Sequence, residues 1–489
     1  MSSPPCFTLP AARDARGAPP WAGLAVLLLA GFVTIFDLFV VNVAIPAIQT
    51  GLRADFAHIG LVVAGYELAF GVLLITGGRL GDRFGRRRRR RRLFLTGMAG
   101  FTLASACCGL APDIGYLIGA RVVLGLAAAL LFPQVYASIR VNFAGNDRRK
   151  AFGLLGMTLG LAAIAGQVLG GWLVHIDLFG LSWRNIFLIN VPVGVLALLT
   201  ARSIPESRAP HRPQLDWAGV ALVSSGLSLL LVPLIEGPVR GWPAWSLWSP
   251  GIALILLACF YRHQTRRQRA GQWPLVDMRL IVKRPFALGA LLVLLVYSTS
   301  SSFFLCFALL VQTGLGLDPF LAGSLFAPCS AGFVVASMTA PRLVARRGNV
   351  TLLWGAFIYA AFIAVLIAQV AGAGAGLEPA WLIPALIMIG TGQGYIMTPL
   401  LNLVLGFVDE AESGMASGVI STVQQVGAAL GVAVVGILFH GALSGAASLP
   451  PAGQYASAFV AGMGYNLGAA VLICLLLMKL VKRSEPVPR

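Results

Sequence analysis

Residues 78–85 read Gly-Arg-Leu-Gly-Asp-Arg-Phe-Gly, and seven consecutive arginines follow them at 86–92. Apolar runs at 58–77 and 93–111 flank this stretch, and each has about the 20 residues that a helix needs to cross a hydrocarbon core of roughly 30 Å. Short loops rich in arginine remain on the cytoplasmic side of a membrane. The stretch therefore predicts two membrane spans joined by a cytoplasmic loop, and we interpret its arginines as topology determinants rather than as a nucleic-acid site.

The composition extends this prediction to the whole chain. Of the 489 residues, 58% are hydrophobic and 11% are charged, whereas a soluble protein carries about 25% charged residues. Fourteen apolar runs are long enough to cross a membrane, at 21–44, 58–77, 93–111, 115–137, 152–174, 185–201, 216–234, 247–262, 286–311, 320–340, 350–370, 381–403, 414–438 and 457–480. The sequence predicts an all-α integral membrane protein with 14 transmembrane helices.

The basic residues indicate the orientation of these spans. If the N-terminus is cytoplasmic, 32 of the 36 lysines and arginines fall in cytoplasmic segments, three fall outside, and Arg121 lies within a span. This bias predicts a multi-pass protein of the inner (plasma) membrane with both termini in the cytoplasm. The net charge of +18 then reflects loops that face anionic lipid headgroups, so membrane lipid is an expected partner and nucleic acid is not.

Several functions are disfavoured by missing motifs. None of the four lysines follows a glycine, so the sequence has no phosphate-binding loop of the kind that ATP-driven pumps use. The seven cysteines contain no C-x-x-C, and the five histidines contain no H-E-x-x-H. We therefore predict no catalytic residues, no metal site and no cofactor, and the protein is not expected to be an enzyme.

The first six and the last six predicted spans look like two copies of one unit. The corner at 78–85 has a counterpart at 341–348, Pro-Arg-Leu-Val-Ala-Arg-Arg-Gly, which lacks the acid. Six-span halves with a substrate between them are a transporter architecture. The predicted segments are a cytoplasmic tail (1–20), an N-terminal six-helix bundle (21–201), a linker with two additional spans (202–285), a C-terminal six-helix bundle (286–480) and a second tail (481–489).

Four features of the sequence point to a known family. They are residues 37–46 in span one, residues 78–87, residues 121–125 in span four, and the pair 215–219 and 274–277 around the inserted spans. Together they resemble the major facilitator superfamily, and the last pair resembles its fourteen-span drug/proton antiporter branch. This resemblance implies the major facilitator fold, with two six-helix bundles plus two inserted linker helices, and it implies transport by alternating access.

The resemblance also implies a role for the charged corner. The positions that match the loop signature of the superfamily are Gly78, Arg79, Asp82, Arg83, Gly85 and Arg86. By this resemblance the loop is a gate latch that stabilises the outward-facing state. A generic turn with solvated charges is the alternative.

One departure from the branch lies in the fifth span. The branch carries a proline between glycines there, whereas this chain has Gly166, Gln167, Gly170 and Gly171. The small residues that let helices approach closely are retained, but a proline kink is not. Because the resemblance links that proline to exchange rather than uptake, proton-coupled uptake remains an alternative.

Three ionisable side chains are predicted at membrane depth, where their cost makes each a functional candidate. Asp37 lies about 24 Å above the cytoplasmic edge of span one and Arg121 about 9 Å below the outer edge of span four, which gives them similar depths. Glu67 lies nearer the midplane of span two. A carboxylate balanced between burial and a nearby guanidinium can exchange a proton. We predict proton coupling by these residues, with a fixed Asp37–Arg121 pair as the alternative.

The sequence thus predicts an efflux transporter driven by the proton-motive force. It would export hydrophobic small molecules, including cationic ones, and act as a monomer. A proton-coupled uptake symporter of the same fold is the alternative. A membrane-embedded enzyme or sensor is disfavoured, because the sequence has neither a nucleophile–base or metal constellation nor a soluble output domain.

Overall fold

A computed structural model describes residues 20–84, 90–143, 145–203, 216–237, 240–272, 274–373, 376–408, 413–446 and 448–484. All regular secondary structure within these ranges is helical, which confirms the predicted fold class. The helices are α1 (Pro20–Leu52), α2 (Phe56–Phe84), α3 (Arg90–Gly109), α4 (Ile114–Asn142), α5 (Gly145–His175), α6 (Asn185–Leu188), α7 (Asn190–Thr200), α8 (Trp217–Glu236), α9 (Ala244–Arg269), α10 (Met278–Val282), α11 (Arg284–Ala308), α12 (Pro319–Arg347), α13 (Val350–Ala373), α14 (Ile383–Leu405), α15 (Ser413–Gly445) and α16 (Pro451–Ser484).

Thirteen helical segments in the described residues are long and apolar enough to cross a membrane. The short helices α6 and α7 form one of them, Ser182–Thr200. Helix α3 adds a fourteenth segment of 20 residues, whose first three residues are arginines and reduce its apolar character. Each of the 14 predicted spans therefore coincides with a helical segment.

The helices extend beyond the apolar runs on one face of the membrane. Helix α2 continues to Phe84, past the predicted span end at 77, and α9 continues to Arg269, past 262. Long arginine side chains can reach the headgroups while their helix continues. The first part of the charged corner is thus helix rather than loop, which corrects the predicted boundary. We call this face, which holds Phe84, Arg269 and Arg347, the arginine-rich face.

The helices pack in two similar sets, which we call the first unit (α1–α7) and the second unit (α11–α16). In the first unit α1 packs on α5, and α4 packs on α2 and α3; in the second, α11 packs on α15, and α14 packs on α12 and α13. Two helix pairs make most of the contact between the units, α2 with α15 and α5 with α12, and α1 also touches α11 and α12. Each pair combines the second span of one unit with the fifth span of the other, as a repeat requires. The inserted helices α8 and α9 pack on each other, and α8 also contacts α2 and α15.

A buried carboxylate anchors the inserted helices at the arginine-rich face. Asp216 caps the N-terminus of α8 by accepting a hydrogen bond from the backbone N–H of Gly219 at 3.0 Å. It also binds His263 Nε2 at 2.8 Å and the side-chain amide of Gln264 at 2.7 Å, both from α9. Gln264 Oε1 in turn accepts from the backbone N–H of Leu275 at 2.7 Å, which ties the segment before α10 to the same point.

We expect Asp216→Ala to lower the stability of the protein by about 2 kcal/mol or more. The variant loses a helix cap, at about 0.5–2 kcal/mol, and leaves the buried Gln264 amide without its acceptor, at about 1–3 kcal/mol. Asp113→Ala is the matched control, because Asp113 caps α4 by accepting from Tyr116 N–H at 2.8 Å in an exposed position. Thermal unfolding in detergent measures both. An equal loss of stability in the two variants would contradict the role given to the hydrogen bonds around Asp216.

The stability difference between the wild type and Asp216→Ala should also depend on pH. Burial alone would raise the pKa of Asp216, but hydrogen bonds from His263, Gly219 and Gln264, with the charge of His263, lower this pKa below its usual value. A carboxyl group whose pKa is lower in the folded state stabilises that state above the pKa of the unfolded chain, about 3.9. The stability difference between wild type and Asp216→Ala should therefore be present at pH 5 and narrow below about pH 4.

Candidate functional site

The structure brings Asp37 and Arg121 into direct contact inside the first unit. Arg121 Nη1 donates to Asp37 Oδ2 at 2.5 Å, and both side chains are fully buried. The amide of Asn190, on α7, donates to the other carboxylate oxygen of Asp37 at 3.1 Å. The similar depths predicted for these two residues thus correspond to a contact, while their role in proton coupling stays a prediction.

Arg121 is fixed from several sides. Its Nε donates to the backbone carbonyl of Val62 on α2 at 3.0 Å. Its guanidinium carbon lies 4.4 Å from the ring centre of Tyr66 and 5.8 Å from that of Phe187, within range of cation–π attraction. Arg121 Nη2 is buried and has no hydrogen-bond partner among the described residues. The guanidinium group is therefore held in place while its Nη2 nitrogen remains without an acceptor.

Two uncharged residues complete the cluster and were missed by the sequence analysis. Asn190 also donates to Ser105 Oγ at 3.1 Å, and Ser105 donates to the backbone carbonyl of Phe187 at 2.9 Å. Asn190 lies in the apolar run of span six, where a polar amide could have been recognised from the sequence as a candidate site residue. The cluster joins α1, α3, α4 and α7, so it belongs to the first unit alone.

Two glycines bring these helices close together. A Cβ on Gly125 of α4 would lie 2.5 Å from the backbone oxygen of Tyr66 on α2. A Cβ on Gly166 of α5 would lie 2.8 Å from the backbone oxygen of Phe36 on α1. Larger residues would push the helices apart, and Arg121 would then lose its contacts with Val62 and Tyr66.

Glu67 lies outside the Asp37 cluster and faces the second unit. It follows Tyr66 directly, and successive residues of a helix point about 100° apart. Its Oε1 accepts a hydrogen bond from Ser301 Oγ of α11 at 2.8 Å, and the residue is 4% exposed. Its Oε2 is buried without a partner, and no cation pairs with it, as far as the described residues go. Glu67 is therefore an unneutralised carboxyl group at the contact between the units.

Ser301 belongs to a run of hydroxyl residues, 298–302, that the sequence analysis did not use. Ser298 Oγ lies 2.5 Å from the hydroxyl of Tyr465, and Ser302 donates to Asn466 Oδ1 at 2.7 Å, both partners being on α16. The run therefore links α11 to α16 within the second unit, and it reaches Glu67 across the interface.

Gln167 also bridges the two units. Its Oε1 accepts a hydrogen bond from Ser330 of α12 at 3.1 Å, while its Nε2 is buried with no partner in the described part of the chain. Helix α5 runs unbroken from Gly145 to His175, as expected without the family proline. Gly170 packs on Val40 of α1, and Gly171 packs on Pro319 at the start of α12. The motif thus lines both the α1 and the α12 contacts of α5.

The contacts between the units continue toward the face opposite the arginines. His175 Nδ1, at the end of α5, lies 2.7 Å from Asp318 Oδ2, which caps α12. Burial alone would raise the pKa of Asp318, but the hydrogen bonds from His175 and the backbone N–H of Phe320, with the charge of His175, lower this pKa. Phe39 of α1 meets Phe304 of α11 edge-on at 5.3 Å. These contacts hold the units together at the opposite face.

The predicted gate residues are described only in part. Gly78, Arg79, Asp82 and Arg83 lie on the last two turns of α2, where only the backbone is described. Gly85 and Arg86 lie outside the described residues. Their role as a latch stays a prediction. Within the described residues, no group of three or more His, Cys, Asp or Glu side chains could hold a metal ion.

The fold and the buried charges define a multi-pass membrane transporter. The family model described as the Major Facilitator Superfamily matches residues 27–432. The chain belongs to this superfamily, which confirms the resemblance and the expectation that it is not an enzyme. It is thus a membrane transporter of small molecules.

Related proteins include exporters from Streptomyces. The chain is 38% identical to the probable actinorhodin transporter of Streptomyces coelicolor, over 89% of this chain and 75% of the relative. It is 34% identical to a puromycin resistance protein of Streptomyces alboniger, over 94% and 90% of the two chains. It is 31% identical to the tetracenomycin C resistance and export protein of Streptomyces glaucescens, over 87% and 77%.

Solved structures share the fold at low sequence identity. A bacterial homologue of the human lysosomal transporter Spinster, in an inward-facing and unoccupied conformation, superposes with a TM-score of 0.65 at 16% identity, covering 96% of this chain and all of that one. A peptide transporter in complex with sulfate gives a TM-score of 0.67 at 15% identity, covering 94% of each chain.

Proposed function

We propose that this protein exports hydrophobic small molecules, cationic ones included, across the plasma membrane in exchange for protons. The observation that carries the proposal is the contrast between its two intramembrane carboxyl groups. Asp37 is paired with Arg121 inside one unit, whereas Glu67 lies unpaired by any described cation at the contact between the units. The outward direction is supported by the relatives, which are a probable actinorhodin transporter, a puromycin resistance protein and a tetracenomycin C resistance and export protein.

Glu67 is suited to couple proton binding to the movement of the units. Ser301, its hydrogen-bond partner, belongs to the second unit, so rocking one unit against the other breaks this bond and admits water. A carboxyl group enclosed without a cation is stable when it holds a proton, and one in water is stable when it is ionised. The movement that changes substrate access therefore also changes the proton occupancy of Glu67.

Asp37 provides a second proton site whose effect reaches the interface. A proton on Asp37 removes the negative charge that holds Arg121, while Val62 and Tyr66 keep the guanidinium in place. Phe39 lies two residues further along α1 and contacts Phe304 of the second unit. Protonation of Asp37 can thus alter the position of α1 where the two units meet.

The same interface is suited to an aromatic or otherwise apolar substrate. Phe304 packs on Phe326 at 5.6 Å and Phe307 packs on Phe326 at 5.0 Å, which makes an aromatic cluster next to Phe39. When the units separate, these rings become available to a ligand. The carboxyl group of Glu67 on the same interface would favour a ligand that carries a positive charge.

The remaining parts of the proposal follow from the sequence. Both termini are cytoplasmic, the bundles comprise residues 21–201 and 286–480 with the linker at 202–285, and the protein acts as a monomer surrounded by lipid. The corner at 78–86 latches the outward-facing state. In this orientation the arginine-rich face is cytoplasmic.

Cysteine labelling tests the orientation. Ala244 and Ala270 are exposed residues at the two ends of α9, and each is replaced by cysteine in a variant without reactive native cysteines. With 32 basic residues inside, we expect a membrane-impermeant thiol reagent added to intact cells to label Ala244→Cys and to leave Ala270→Cys unlabelled. Labelling of Ala270→Cys alone would show that the protein is inserted the other way.

Uptake together with protons is the second candidate, and the unbroken helix α5 with Gln167 is the observation that favours it. Energised everted membrane vesicles distinguish the two. Their lumen is acidic, so an exporter that exchanges protons should collapse the pH gradient when the drug is added outside. A symporter should leave this gradient unchanged, because it would need drug and protons to leave the lumen together.

A further inference from the structure

A small cavity opens in the second unit at the arginine-rich face. Its volume is about 210 Å³, and it is lined by Thr339, Arg342, Leu343 and Arg346 of α12 and by Tyr395 of α14. Sites for drug-sized ligands have volumes of about 300–1,000 Å³. The cavity is therefore too small for the transported substrate, and it lies at the end of the bundle rather than between the units.

The two arginines of this cavity carry charges that no residue in the described part of the chain neutralises. Arg342 and Arg346 lie one helical turn apart and are exposed, and neither forms an ion pair with any described residue. They occupy the positions that Arg79 and Arg83 occupy in the first copy of the repeat. Where the first copy has Asp82 between them, the second has Ala345. The second copy has thus kept both cations and lost the acid.

The floor of the cavity adds two hydroxyl groups. The Thr339 hydroxyl lies 3.2 Å from the hydroxyl of Tyr395, and its own proton has a closer acceptor in the backbone carbonyl of Val335 at 2.9 Å. Thr339 lies seven residues before Arg346, about 10 Å along the helix. The free donors of the cavity are thus the two guanidinium groups, whose N–H groups match the oxygens of a phosphate group.

The same side of α12 is apolar toward the membrane interior. Val335 is 63% exposed and Met338 is 68% exposed, and in a membrane-spanning helix such side chains face lipid. An apolar surface thus leads up to a cationic cavity at the headgroup level. We propose that this cavity binds the phosphate group of an anionic phospholipid, with the acyl chains along Val335 and Met338.

Native mass spectrometry of the full chain in detergent tests this site. Phosphatidylglycerol is titrated, with phosphatidylcholine as the zwitterionic reference. The double variant Arg342→Gln/Arg346→Gln should bind phosphatidylglycerol about tenfold more weakly or worse, because each basic residue near anionic lipid contributes about 1 kcal/mol. The matched control is Arg262→Gln/Arg266→Gln on α9, a pair of exposed arginines with the same spacing that lines no part of the cavity. The control should bind like the wild type.

Three outcomes would overturn the proposal. Equal losses in the two double variants would show a general charge effect, and wild-type binding by both would show that no such site exists. Displacement of phosphatidylglycerol by equimolar inorganic phosphate would show that the cavity takes free phosphate rather than a lipid. The single variants Arg342→Gln and Arg346→Gln each remove one charge, so a few-fold weaker binding is expected from each even if the double variant fails to fold.

Discussion

Asp37→Asn should abolish uphill export while substrate binding remains measurable. The amide keeps the shape of the carboxylate, and its one oxygen can still accept from Arg121, while its NH2 group replaces the oxygen that accepts from Asn190. It cannot bind and release a proton. Accumulation of a drug in energised everted vesicles should fall to the level of vesicles without the protein. Binding of the drug, followed by quenching of tryptophan fluorescence, should change little.

Asp113→Asn is the control for this experiment. Asp113 is an exposed acid that caps α4, the helix that carries Arg121, and it takes no part in the cluster. Its variant should export at the wild-type rate. If Asp37→Asn also pumped against a gradient at the wild-type rate, proton exchange would lie elsewhere, and Glu67→Gln would be the next variant to measure.

Arg121→Ala should destabilise the protein more than any other single change considered. Removing one partner of a buried ion pair costs about 3–5 kcal/mol, because it leaves the other charge buried without compensation. Truncation of the Arg121 side chain also removes its contacts with Val62 and Tyr66. Thermal unfolding in detergent should therefore show a large decrease in melting temperature, and transport should fail.

The double variant Asp37→Asn/Arg121→Gln separates the effect on stability from the effect on proton coupling. Neither residue is charged in this variant, so its melting temperature should recover much of what Arg121→Ala loses, while uphill export remains absent. Arg262→Ala, at an exposed arginine of α9, should leave the melting temperature near that of the wild type. A small effect of Arg121→Ala, similar to that of Arg262→Ala, would contradict the account of a tightly held buried pair.

Much of the fold could be predicted from the sequence, because a membrane imposes a simple length requirement. A run of about 20 apolar residues predicts a membrane-spanning helix, and all 14 runs coincide with helical segments. The ends of the helices were less predictable. Helix α2 continues through Phe84 because arginine side chains can extend to the headgroups, so the apolar run ends before the helix does.

The candidate site was predictable only where it carries charge. Asp37 and Arg121 stand out because ionised groups are rare at membrane depth, and their positions along the spans gave matching depths. Asn190 and Ser105 carry no charge, and many such residues in spans only join helices. The pairing of Glu67 with Ser301 could not be derived either, because it depends on how the two units meet.

The most direct test of the account is the direction of proton movement during transport. The purified protein is reconstituted into liposomes that contain a pH-sensitive dye, an acidic lumen is imposed, and drug is added outside. Liposomes in which the arginine-rich face is outward should accumulate drug while their lumen becomes alkaline, and Asp37→Asn liposomes should do neither. Drug accumulation without a change in luminal pH, or drug and protons leaving the lumen together, would contradict proton-coupled export.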